Sequence, residues 1–170
     1  MKHPKYIALP VLLLVVWFFC KPCFSQNKFD SVAAIKNIGN EILNGANISK
    51  YNEKDIYRLI HNVLAKDSVE RNWYFKVFII IRKQATKYLA EDIDFYSKDF
   101  CLMYPNDFFA LSNDELKSLA ADIGKIIRTE EESPSQYLEE YISKIKAHSS
   151  LKYLNKINDF NDDLRMALKK

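Results

Sequence analysis

Two sets of residues in this chain have the side chains and the spacing to carry chemistry. The first is Cys20-Lys21-Pro22-Cys23, two thiols separated by two residues, the arrangement of a thiol–disulfide exchange site. Such a site needs a strand before it and a helix behind it, whose N-terminus lowers the thiolate pKa. Here the pair instead follows an almost unbroken apolar run from Ile7 to Cys20, itself preceded by Lys2 and Lys5 without an acid. A positive start, a short apolar run and small exit residues form an export signal. Cys23 and Ser25 stand at the −3 and −1 positions for cleavage before Gln26, so residues 1–25 are read as a signal peptide and the tetrad as discarded with it. Phe19 before Cys20 and Pro22 before Cys23 do not suit lipid attachment at either thiol.

The second set is carboxylate. Glu91, Asp92, Asp94 and Asp99 lie within nine residues. On a helix, Glu91 and Asp94 share a face, as do Asp92 and Asp99 two turns apart. Glycan-cleaving enzymes need two acids, roughly 5 Å apart in retaining enzymes or roughly 6.5–9.5 Å in inverting ones. A chain with 22 acidic residues also produces such neighbours on any solvated helix face.

Other chemistries lack their parts. Gly39, Gly45 and Gly124 are too far apart to cradle a phosphate, and no Gly-x-Ser-x-Gly elbow occurs. Beyond the leader the histidines are His61, on the flank of an apolar stripe, and His148, at a helix C-terminus where a cation complements the dipole. Two distant histidines and the single remaining thiol, Cys101, do not form a zinc set, and Asn158 to Leu164 lacks the glycine and distal glutamate of a calcium loop. No cofactor and no metal is expected. Cys101 sits among apolar neighbours and reads as a buried, inert thiol that leaves no internal disulfide to form.

The charge is unevenly placed. Without the leader's three lysines the chain has 22 basic and 22 acidic residues, which removes the simplest argument for nucleic-acid binding. Residues 26–90 carry a net +5, residues 91–140 a net −9 and residues 141–170 a net +4. Acidic helices can lie against basic neighbours within the fold, or they can present an acidic face that steers a basic partner. Aromatic residues are the other excess. Tyr104, Phe108 and Phe109 surround Pro105-Asn106-Asp107, and adjacent phenylalanines on one turn point about 100° apart. An exposed ring of the two would be a natural interface anchor, but the preferred reading is that both fill the gap between two helices.

The elements that must position these residues read as helices throughout. The first carries Val32, Ile35, Ile38 and Ile42, with Asp30 or Ser31 as cap and Asn44-Gly45 as stop. Asn52 opens a second, with Ile56, Leu59, Ile60, Val63 and Leu64 on one face. After Asp67-Ser68 comes a third containing Trp73 to Ile81, apolar nearly all round and therefore central. The fourth repeats Leu89, Ile93, Tyr96, Phe100 and Met103 before Pro105. Ser112 and Glu115 form a capping box for the fifth, which buries Leu116, Leu119, Ala120, Ile123, Ile126 and Ile127. Ser133-Pro134-Ser135-Gln136 repeats the capping box for the sixth, with Leu138, Tyr141, Ile142 and Ile145, and Ser149 or Ser150 begins the seventh with Leu154, Ile157, Phe160, Leu164 and Leu168. Helix starts near residues 30, 68, 112 and 150 recur at about the 40–47-residue spacing of two-helix repeats.

The expected fold is all-α, about seven helices in antiparallel pairs, forming a short α-solenoid-like stack or an irregular helical bundle. Residues 26–170 make up one helical domain, exported to the periplasm or beyond the cell, with no stable membrane span once the leader is cleaved. The function this supports is non-catalytic recognition of another protein, as an inhibitor, immunity-type factor or assembly component, through Glu91, Asp94, Asp99, Tyr104, Phe108 and Phe109. Nucleic acid is not expected as a partner, and the oligomeric state is open. The alternative is a small carboxylate hydrolase acting on an envelope or extracellular polymer, and a weaker third reading is a carrier of an apolar ligand in the aromatic core.

Overall fold

Eight α-helices and short 3-10 turns account for the order of the chain in a computed structural model that describes residues 32–169, apart from the side chains of Lys87 and Tyr88. No strand occurs among the described residues, so the fold is all-α as expected. The leader, the Cys20–Cys23 pair and the caps Asp30 and Ser31 lie outside the described residues. No helix among the described residues is long and apolar enough to cross a membrane.

The first helix, α1, covers 32–43 and ends at Gly45, whose φ of +93° is the left-handed stop that a side chain would oppose. Helix α2, Glu53–His61, starts where the Asn52 side chain accepts a hydrogen bond from the Lys54 amide. Asp67 caps α3, Ser68–Gln84, in the same way. Helix α4, Lys87–Met103, is followed at once by the one-turn α5, Pro105–Phe108. The Ser112–Glu115 capping box opens α6, Asn113–Glu130. Pro134 begins α7, Pro134–His148, and α8 runs Leu154–Leu168.

The apolar stripes meet in one continuous core drawn from all eight helices, with α3 buried on most of its circumference as a central helix should be. Four local expectations change. Met103 is 54% exposed, because the inward face of α4 drifts around the helix and places Ser97 and Cys101 inside. Val32 and Leu154, at the near ends of α1 and α8, are also largely exposed. Ser133 makes no side-chain cap; its backbone lies outside the capping conformation and Pro134 alone sets the start. The last helix starts at Leu154, because Leu151–Tyr153 forms a 3-10 turn after the Ser150 amide is held by the Asn106 side chain.

Helices stack in sequence order. Among the described residues, hydrogen bonds between distant elements join positions 32 to 47 apart, with Arg165–Glu139 the exception at 26. Each helix pair thus reaches only to the next, the connectivity of a stack of pairs. The most extensive packing is of α8 on α6, where a methyl group at Gly124 would lie 2.5 Å from the Ala167 Cβ. Gly124→Ala and Ala167→Gly should therefore be coupled. Urea melts of the two single variants and the double variant are expected to show the pair more stable than the sum of its parts by about 1–2 kcal/mol.

Candidate functional site

The residues singled out by the sequence separate into three places. At the first, α5 turns Phe108 and Phe109 into the core, while Asp107 and the half-buried Tyr104 meet an arginine that the sequence reading passed over. Arg71, on α3, is 7% exposed. Its guanidinium donates through Nε and Nη2 to Asp107 Oδ2 at 2.9 and 2.8 Å, and through Nη1 to the carbonyls of Ala65 and Lys66 at 3.1 and 3.0 Å. It also lies 3.8 Å from the centre of the Tyr104 ring. Tyr104 in turn donates to the Leu64 carbonyl at 3.3 Å.

Phe108 and Phe109 have no exposed surface, so both fill the gap between helices, the preferred of the two readings, and their assignment as binding residues is corrected. The 100° between them is accommodated because the core closes round α5 from more than one direction. Phe160 of α8 meets both rings edge-on, with centroids 5.4 Å from each, and Phe75 of α3 lies beyond Phe108. Neither ring is available as an interface anchor.

The second place is the seam between α2 and α4. Burial, then the carboxylates of Asp92 and Asp99, raise the pKa of the Tyr96 phenol. His61 is exposed and hydrogen-bonded to the Tyr96 hydroxyl at 2.7 Å. Asp99 therefore belongs with Asp92 on this flank. Asp94 and Asp99 are five residues apart, about 140° round a helix, and face different neighbours.

The third place is the seam between α4 and α6, with α3 behind it. Glu91 is exposed, but Asp94 is 7% exposed and is not part of a solvated face. The Arg82 guanidinium, from α3, bonds Asp122 and also donates to the Ser118 hydroxyl, both on α6. Arg82 Nε is a buried donor without a partner among the described residues. Burial, then the neighbouring Asp122 carboxylate, push the Asp94 pKa up to about 6 against the opposing pull of Arg82 and Lys125. This carboxylate is held in a setting that favours its protonated form.

Elsewhere the acidic middle closes on basic neighbours. Asp107 pairs with Arg71, Glu115 with Lys83, Asp122 with Arg82, Glu131 with Lys98 and Glu139 with Arg165. An open groove of about 400 Å³ at the α6–α7 elbow is lined by Glu130, Glu132, Glu140 and Tyr137, with the Lys98 ammonium 5.2 Å from the Tyr137 ring. Cys101 is buried, and burial raises its thiol pKa far above the usual range. His148 donates from Nδ1 to the Lys144 carbonyl at 2.8 Å, one turn back in its own helix. No cluster of metal-ligating side chains occurs among the described residues.

Comparison with known protein families, with characterised proteins and with solved structures finds no match. The site therefore has to be read from its own chemistry. Arg71 and Arg82 were the signal available in the sequence. They lie eleven residues apart, three turns along one face of an otherwise apolar central helix, and a buried arginine requires an acidic partner.

Two outcomes follow. Arg71→Ala leaves Asp107 and two carbonyls without their donor and is expected to lose about 3–5 kcal/mol of stability in urea denaturation. Asp94 works in the opposite direction. Its folded pKa lies above the unfolded value, so it opposes folding above about pH 6, and this penalty fades as the pH falls toward 4. Asp94→Asn should therefore stabilise the chain by about 2–3 kcal/mol at pH 7 and by little at pH 4, measured as the difference from the wild type at each pH.

Proposed function

We propose that the chain is an exported, non-catalytic helical protein that binds another protein, and that the α4–α6 seam bearing Glu91 and Asp94 is its point of contact. The observation that carries this reading is Asp94, a nearly buried carboxylate whose pKa burial and the neighbouring Asp122 charge push up to about 6. A carboxylate raised in this way weakens the fold at neutral pH, so its presence is best accounted for by a charge supplied from outside. The other acids support the same reading by contrast, since many of them are matched internally by Arg71, Arg82, Lys83, Lys98 and Arg165. Glu91, exposed one turn before Asp94, and the acid-lined groove at the α6–α7 elbow extend the negative surface that a basic partner would meet. The assignment to an extracytoplasmic compartment rests on the leader at residues 1–25.

A second reading draws on the same side chain. A carboxyl titrating near 6 beside a second carboxylate is the arrangement in which one acid donates a proton while the other stays ionised, and it would serve a hydrolase acting on an envelope or extracellular polymer. The two readings separate in one experiment. Native mass spectrometry of the protein from its host, wild type and the Glu91→Gln/Asp94→Asn variant, is expected to show a captured polypeptide that the double variant holds roughly 10–100-fold more weakly. High salt should weaken the wild-type complex. A bare wild-type protein, together with polymer cleavage abolished in the variant, would replace the binding reading with the hydrolase.

A further inference from the structure

We infer that one end of the stack is a docking surface for an anionic lipid bilayer. Six large apolar side chains are exposed among the described residues: Val32, Val69, Met103, Leu151, Leu154 and Met166. All but Met166 lie at the same end of the fold, and a chain of polar contacts places them there. Val32 stands one turn before Lys36 on α1, and Lys36 pairs with Glu70 in the first turn of α3, next to Val69. Arg71 ties that turn to Asp107 of α5, and Met103 ends α4 just before α5 begins. Asn106 of α5 holds the Ser150 amide at 2.8 Å, which brings in Leu151 and, at the start of α8, Leu154.

Single apolar side chains are ordinary on a protein surface, but five gathered at one end mark a contact. They do not belong to loose ends. The turn bearing Leu151, 87% exposed, is fixed by Asn106, and the turn before Val69, 78% exposed, has its Ala65 and Lys66 carbonyls held by Arg71.

The occupant follows from their spacing and their neighbours. They come from four separate stretches with polar turn residues between them, whereas a protein hot spot is a closed apolar centre ringed by polar groups. A bilayer interface takes apolar tips one at a time. Lys66, Lys146 and Lys152 are exposed in or beside the same turns, where they can meet lipid phosphates. Three nearby acids are engaged within the fold: Asp107 by Arg71, Glu70 by Lys36, and Asp67 by the Glu70 amide that it caps. Asp114, at the start of α6, shares a cleft with Lys117 and Lys156. Tyr104 and Tyr153 are half-buried at this end, and tyrosine favours the headgroup layer. This surface is distinct from the α4–α6 seam and stands whatever binds there.

The test uses the exported chain from Gln26, so that the apolar run of the leader takes no part. It is sedimented with vesicles of phosphatidylcholine alone, and with vesicles in which about one lipid in three is phosphatidylglycerol. Wild type is expected to bind the mixed vesicles at least about tenfold better than the neutral ones. Leu151→Ser, at an exposed site that leaves the core untouched, should weaken that binding about tenfold, and Lys66→Gln/Lys152→Gln by roughly as much. Met166→Ser should leave it unchanged. An environment-sensitive dye attached through Leu151→Cys should report an apolar setting on the mixed vesicles, and one attached through Met166→Cys should not; Cys101 is buried and stays unlabelled. No binding to the mixed vesicles, binding indifferent to Leu151→Ser, or the same response from both dyes overturns the inference. Equal binding to the two kinds of vesicle overturns its choice of anionic lipid. A host polypeptide whose capture is lost with Leu151→Ser, in a chain that ignores vesicles, would give this end to a protein and overturn it as well.

Discussion

The cation at Arg71 is the constraint around which the central part of the structure is arranged. Its position on the buried face of α3 obliges the chain to supply acceptors, and they come from three separate stretches: the carbonyls before α3, the carboxylate of α5 and the ring at the end of α4. A charge removed from water is tolerated only when it is surrounded in this way. The consequence is geometric. Asp107 can reach the guanidinium only if Pro105–Phe108 folds back under α3, and that fold is what drives Phe108 and Phe109 into the core beside Phe160. One buried arginine thus sets where α4 ends and where the aromatic cluster goes.

The same logic of reaching only to the next pair runs along the chain. Gln84 at the end of α3 binds the Ile48 amide, and Tyr141 of α7 donates to the Lys98 carbonyl of α4. Lys156 of α8 donates to the carbonyls of Phe109 and Leu111. The loops after α1 and α5 are each tied to a neighbouring pair in this way, and the loop after α7 by the Ser150 amide on Asn106, which satisfies polar groups that short connections would otherwise leave open. At the far end Gly124 lets α8 lie close on α6, and α8 turns Asp159, Asp162 and Arg165 outward so that the stack ends in a polar surface.

Much of this was legible in the sequence because it depends on local signals. The stripes of α6 and α7, the Ser112–Glu115 box, the Asn52 and Asp67 starts and the glycine stop after α1 follow from spacing and capping chemistry, which are properties of a few adjacent residues. Trp73 to Ile81 could have suited a strand by composition, yet its charged continuation identified a central helix. What spacing could not reveal was the setting of a side chain fixed by distant partners. Asp94 looked like one of several acids on a wet face, and only α6 and Arg82 make it a buried one. Phe108 and Phe109 looked divergent on a turn considered alone. Met103 fitted a stripe of alternating threes and fours, but the real inward face drifted past it to Cys101. The clue within reach was compositional: two arginines on one face of an apolar helix imply carboxylates elsewhere that must come inside to meet them.

The two arginines of α3 resolve differently, and the difference locates the site. Arg71 is matched on every side, so it adds order without leaving a demand on the surroundings. Arg82 is matched only in part, by Asp122 and Ser118, while a second carboxylate, Asp94, stands buried in the same seam with its charged form disfavoured. A helix that bears one fully satisfied charge and one partly satisfied charge can afford the second because the first holds its neighbours in place. If the roles were reversed, the unmet charge would lie beneath α5, where relaxing it would mean opening the core. At Arg82 it lies toward the edge of the seam, where Asp94 keeps a small open surface and Glu91 stands at the rim. A local imbalance placed at an edge, over a region that is otherwise balanced, is the form in which a fold can offer a charge to another molecule without losing its own packing.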